Sequence, residues 1–172
     1  MPYVIRPMRE ADLPGRAAVH CRAWEETYRG QIPDVVLDGM TPEAIEAAVR
    51  ALPMETLVVE GAEGIVGFAC FCPDARAFTG RRNTSEIAAL YLLRSVQGLG
   101  LGRRLMEAVL AVLPHREVIL HVLEGNTRAI QFYEHMGFSP TGRTVRQETA
   151  GGAMVELEML LHRQICSHQR SF

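Results

Sequence analysis

The chain has 172 residues, 48% hydrophobic and 22% charged, with 18 basic against 20 acidic side chains and a net charge of −2. That length suits one domain able to bury a sizeable core without staples. The hydrophobic fraction excludes a disordered chain, and the charge balance excludes a bulk electrostatic pull on nucleic acid. The apolar runs stop short of a bilayer span, and the start, MPYVIRPMREADL, lacks the apolar core of a signal peptide, so no membrane contact and a cytoplasmic location are expected.

Four cysteines, Cys21, Cys70, Cys72 and Cys166, are scattered rather than framed for disulfides, which agrees with a reducing compartment. Every one of the 18 basic residues is arginine. With no basic excess to draw on, any anion site has to be built locally.

In chain order, Tyr3 to Pro7 reads as a short edge strand closed by proline, and Arg9-Glu-Ala-Asp12 as the entry to a helix ending near Tyr28. Ala17, His20, Cys21, Trp24, Thr27 and Tyr28 recur at helical spacing and predict its buried face, anchored by Trp24. Gly30 to Pro33 breaks that helix. Thr41-Pro42-Glu43 supplies an N-cap, a first-turn proline and an acidic residue for a second helix reaching Arg50. Thr56 to Glu60 and Ile65 to Cys72 predict a hairpin about Gly61 to Gly64. Residues 73 to 84 read as a polar loop.

The central strand, Glu86 to Leu93, then runs into Gln97-Gly98-Leu99-Gly100-Leu101-Gly102 and out into an amphipathic helix, Gly100 to Val112, stopped by Pro114. Glycines spaced by two allow a tight turn with uncovered N–H groups, and the helix adds a positive dipole end, so this stretch predicts an anion site fit for phosphate oxygens. A fifth strand, Glu117 to Leu123, is almost continuously apolar, as a strand covered on both faces would be. A fourth helix spans Thr127 to Met136 and stops at Gly137. Two last strands, from Phe138 to Glu148 and Met154 to Leu161, are joined by Thr149 to Gly152. The order implies an α/β fold with a mixed sheet flanked by helices in a single domain of residues 1–162, followed by a polar tail, 163–172.

Two other glycine motifs fail on spacing. A dinucleotide fingerprint needs a third glycine or alanine where the chain has Arg103 or Leu105, and no Gly-Lys-Ser/Thr follows for a phosphate loop. Cys70 and Cys72 alternate on one strand face without a second Cys or His pair, so they read as buried thiols and no metal is expected. His20 and His121 read as structural residues within apolar patterns.

Gln97, Gly100 and Gly102, together with Asn126-Thr-Arg-Ala-Ile-Gln-Phe-Tyr133-Glu-His-Met-Gly-Phe138, resemble the coenzyme site of the GCN5-related N-acetyltransferase (GNAT) family over nearly the whole chain. The resemblance implies a mostly antiparallel seven-stranded sheet with four helices, splayed between strands 4 and 5. It also implies acetyl-coenzyme A as co-substrate and direct attack by a primary amine of a small molecule or peptide. Coenzyme contacts fall on Leu92, Leu93, Gln97, Gly98, Leu99, Gly100, Leu101, Gly102, Arg103 and Asn126, with backbone N–H groups around Leu92 and Leu93 pairing with the pantetheine arm. Tyr133 is the nominee beside the sulfur and Glu86 the candidate base, placed by period-two counting on the face of Ala88, Leu90 and Leu92. Trp24, Tyr28 and Arg29 resemble an acceptor-side segment. A homodimer is compatible with the fold, and a sensor that binds acyl-coenzyme A without turnover is the alternative function.

Overall fold

The computed structural model describes residues 3–164. Its strands are β1 (Val4–Pro7), β2 (Glu55–Gly61), β3 (Gly64–Cys72), β4 (Thr84–Leu92), β5 (Glu117–Leu123), β6 (Ser139–Thr149) and β7 (Gly152–His162). They form one sheet in the order β1-β2-β3-β4-β5-β7-β6, and only the β4–β5 pair is parallel. The helices are α1 (Leu13–Tyr28), α2 (Asp34–Asp38), α3 (Pro42–Ala51), α4 (Leu101–Val112) and α5 (Thr127–His135). The short α2 falls where the sequence suggested only a break after Pro33.

Each face of the sheet carries its own core. On one side α4 and α5 cover Val59, Ala69, Phe71, Ile87, Val118 and Leu120, with Leu105, Met106 and Val109 fully buried. On the other, α1 covers Val58, Phe68 and Cys70 through Val19, while Tyr28, Ile32 and Leu37 pack with Met154. The buried line of α1 is Leu13, Arg16, Ala17, Val19, Ala23 and Tyr28. It is rotated from the expected face, so His20, Cys21 and Trp24 are only partly buried, with the His20 and Trp24 rings against Tyr91.

One irregularity shapes the molecule. In the β3–β4 ladder Cys70 faces Ala89 while Phe71 faces Ile87, leaving Ala88 without an opposite residue. Such a bulge bends its strand and reverses the side-chain alternation beyond it. Period-two counting put Leu90 and Leu92 on the face of Glu86. The bulge moves them to the opposite face with Ile87, against α4, while Ala88, Ala89 and Tyr91 stay on the α1 side. Past the same point β4 parts from β5: their pairing covers only Thr84–Ile87 with Glu117–Leu120, so the two strands run on without pairing to each other and open a wedge.

Gly67 in β3 sits against the far end of that wedge. A Cβ there would lie 2.3 Å from Leu92 Cδ2 and 2.8 Å from the Tyr91 carbonyl oxygen, and the second contact is with backbone, which cannot swing aside. Gly67→Ala should cost about 1–3 kcal/mol and lower the melting temperature by several degrees. An unchanged melting curve would show that β3 and β4 separate freely there.

Arg163 is tied down, its backbone N–H donating to the Arg116 carbonyl at 3.0 Å and its guanidinium to the carbonyls of His115, Leu110 and Leu113 at the end of α4. A cation on orphan helix-end carbonyls is a favourable C-terminal partner. The remainder of the expected tail, with Cys166, lies outside the described residues.

Candidate active site

The wedge between β4 and β5 opens into a cavity of about 630 Å³. Its walls come from both sheet layers, because the parted strands leave a passage through the sheet. Leu90, Leu92, Gly98, Gly100, Gly102, Arg103, Asn126, Arg128, Phe132 and Tyr133 line the α4–α5 part; Glu26, Tyr28, Tyr91, His121 and Glu156 line the α1 part.

At the first end, Gly98 and Gly100 have φ of 79° and 75°, the left-handed region that side chains disfavour. Gly100 is the N-cap of α4, and a Cβ at either position would meet nothing within 4 Å. Two left-handed glycines separated by one residue turn successive N–H groups toward the same open space, in front of a helix start that no side chain caps. That space is what a diphosphate requires. Arg103 and Arg128, both exposed, add positive charge at this mouth. Leu101, by contrast, is buried in the core beneath, and Leu99 points to solvent, so neither side chain reaches the cavity and only their peptide groups belong to the turn.

Gln97 has a bracing role. Its side-chain amide donates to the Leu92 carbonyl at 3.0 Å, fastening the turn to the end of β4. The pairing expected of Leu92 and Leu93 divides between them. The Leu93 N–H donates to Val66 in β3 at 3.0 Å and is therefore unavailable. Alternation in an antiparallel ladder then turns the peptide groups of Leu92, and of Leu90 before it, away from β3 and toward the wedge. Free strand-edge donors at the site are thus on Leu90 and Leu92.

Asn126 caps α5, accepting from the Ala129 N–H at 3.2 Å, and also lines the cavity. Two turns on, Tyr133 lies on the same wall, 9% exposed. Burial, and secondarily the nearby Tyr28 phenol, push the Tyr133 hydroxyl well above its ordinary pKa. It therefore stays protonated and can donate. Across the passage the Tyr28 and Tyr91 hydroxyls stand 3.5 Å apart, both likewise raised, chiefly by burial.

Glu86 is fully buried and is not on the cavity wall. Arg76 holds it with Nη2 donating to Oε1 at 2.6 Å, and Nε and the backbone N–H each donating to Oε2 at 3.0 Å. Among the acceptor-side nominees, Tyr28 reaches the cavity. Trp24 packs behind it, edge-on at 5.0 Å between centroids. Arg29 faces outward, bonded to Glu25, Asp34 and Asp38.

Glu156 on this wall was not singled out from the sequence, and His121, read there as a structural residue, lines the cavity as well. The signal was present in MVELEMLL, where two glutamates at period two interrupt an otherwise apolar strand on its inward side. Among the described residues no group of His, Cys, Asp and Glu is arranged to hold a metal, and no helix is long and apolar enough to cross a membrane.

Comparisons with known proteins agree with this geometry. The family model described as the acetyltransferase (GNAT) family matches residues 16–138. The peptidyl-lysine N-acetyltransferase YjaB of Escherichia coli is 41% identical over 149 residues, 81% of this chain and 84% of that one. The Probable N-acetyltransferase Rv2775 of Mycobacterium tuberculosis is 27% identical over 157 residues, 88% of each chain. Among solved structures, YncA of Salmonella typhimurium with its cofactor acetyl-CoA superposes with a TM-score of 0.67 at 23% identity, covering 100% of both chains. With an opened β4–β5 wedge, a glycine turn at its lip and a family model matched across both, the chain belongs to the acetyltransferase (GNAT) family.

Proposed function

We propose that this protein is an N-acetyltransferase that moves acetyl from acetyl-coenzyme A to a primary amine of a small molecule or peptide, by direct attack while both are bound. The observation that carries the reading is the passage through the sheet: it joins an N–H cradle at one end to a tyrosine- and carboxylate-lined chamber at the other, with Tyr133 between. The turn from Gly98 to Gly102 receives the diphosphate. The peptide groups of Leu90 and Leu92 pair with the pantetheine arm, and the N–H that faces the thioester carbonyl stabilises the oxyanion as it forms. Tyr133 donates a hydrogen bond to the departing sulfur. The amine enters from the α1 side, past Tyr28 and Tyr91. The name of YjaB, a peptidyl-lysine N-acetyltransferase, favours including lysine-bearing peptides among the acceptors tested.

The test is thiol release from acetyl-coenzyme A with a panel of primary amines: a lysine-containing peptide, free amino acids, polyamines and an aminoglycoside. Amine-dependent release, with the acetylated product identified by mass, is the expected result. Coenzyme binding with no release for any amine would instead make the protein an acyl-coenzyme A sensor.

A further inference from the structure

The α1 side of the passage contains several acidic groups, and nearly all of them are already partnered. Glu86 is held by Arg76. Glu158, 1% exposed, is bonded to Arg81 and accepts from Thr141 Oγ1 at 2.9 Å, with Arg143 at 3.7 Å. Glu26 reaches the cavity wall, but its carboxylate takes Arg22 Nε at 3.0 Å and the Arg94 N–H at 2.8 Å. Glu156 differs: among the described residues it is the carboxylate on the wall with neither an ion pair nor a hydrogen-bond donor, and it is half-buried. Its place is fixed by β7, where it pairs with Leu123 of β5, three residues beyond Leu120, the last β5 residue paired with β4.

We infer that Glu156 receives the acceptor as its ammonium and takes the proton that must leave before attack. This rests on the acetyl-transfer reading above and names the group that makes its nucleophile. The atoms balance as follows. The ammonium nitrogen passes one proton to the Glu156 carboxylate, which later yields it to water. The freed lone pair forms the C–N bond at the thioester carbon, and the C–S bond breaks with its electrons going to sulfur. A second proton from the nitrogen ends on that sulfur, leaving an amide and a free thiol.

The surroundings favour this chemistry. Facing Glu156 are His121 from β5, Arg76 from the loop before β4, Glu86 from β4, Tyr28 from α1 and Glu158 from its own strand. Burial raises the Glu156 pKa above the ordinary glutamate value, Glu86 adds to the rise, and His121 and Arg76 offset part of it. A carboxylate with a raised pKa is a better proton acceptor near neutral pH than an ordinary one. His121 shares this wall, with its Nδ1 and Nε2 3.9 Å from Glu86 and Glu158, carboxylates already bound to arginine.

The experiment compares wild type, Glu156→Gln and Glu156→Asp with the amine panel across pH. Wild-type turnover should rise through a limb above the ordinary glutamate range. Glu156→Gln should keep acetyl-coenzyme A affinity within about twofold and lose about 100-fold in turnover at neutral pH. That deficit should shrink as alkali deprotonates the amine itself. Glu156→Asp should restore part of the rate and the limb. Because folding raises this pKa, ionised Glu156 costs stability as pH rises through its folded value, so Glu156→Gln should melt no lower than wild type at pH 8. Glu156→Gln turning over like wild type, or a deficit constant at every pH, overturns the assignment while leaving acetyl transfer intact. A wild type whose thiol release no amine accelerates overturns acetyl transfer and the assignment with it.

Discussion

Gly100→Val should weaken acetyl-coenzyme A binding by about 10- to 100-fold while the protein stays folded. The estimate comes from the backbone: a β-branched residue held at φ of 75° costs on the order of 1–3 kcal/mol. The turn escapes that strain by leaving the left-handed region, and its N–H groups then no longer converge. Stability should fall by no more than that strain, because a side chain at this position projects into open space rather than into the core. Gly102 makes the contrast. Its backbone is helical, and an added Cβ would touch Phe132 at 3.4 Å and Leu92 at 3.6 Å, so Gly102→Ala only sets a methyl group against a cavity-lining ring. Its loss of affinity should be smaller than that of Gly100→Val. Calorimetric titration with coenzyme A, beside a melting curve for each variant, measures both. Wild-type affinity in Gly100→Val would place the diphosphate away from this turn.

The sequence made some of this legible and hid the rest for identifiable reasons. β5 was readable to the residue because a strand buried on both faces has no polar interruptions except His121. α4 and its glycine lip were readable because left-handed turns and caps demand particular residues. The bulge at Ala88 was not, since two adjacent alanines fit either face, and with it went the correct side for Leu90 and Leu92. The commitment of the Glu86 carboxylate to Arg76 depends on how residues 73–83 fold back over β4, a non-local path that no periodicity encodes. The loss of the Leu93 N–H to Val66 is of the same kind: it is fixed by ladder register across a hairpin, not by the identity of leucine. Glu156 was hidden differently. A glutamate in a strand usually means solvent, and only the parting of β4 from β5 turns this one toward a passage.

Tyr133→Phe should lower turnover by about 100-fold with coenzyme A affinity nearly unchanged. The two effects separate because the ring and the hydroxyl do different work. The ring packs edge-on against Phe132 at 5.4 Å and Phe138 at 6.0 Å between centroids, and phenylalanine preserves both contacts. Tyr133 lines the passage, and the raised pKa of its hydroxyl bears on mechanism. A phenol at its ordinary value is already a weaker acid than a thiol by about 1.5 units, and burial widens that gap, so full transfer of the phenolic proton to sulfur is uphill. What Tyr133 supplies is a donated hydrogen bond as charge collects on the leaving group, with the proton following from the attacking nitrogen or water. Two consequences can be checked. Acetyl-coenzyme A analogues whose sulfur leaves as a more stable thiolate should recover most of the rate lost in Tyr133→Phe. The pH profile of the variant should keep the limb assigned to Glu156, since a different group carries that proton. A variant that turns over at the wild-type rate would remove Tyr133 from the reaction, and one that loses the acidic limb as well would mean that the two groups act on a single proton.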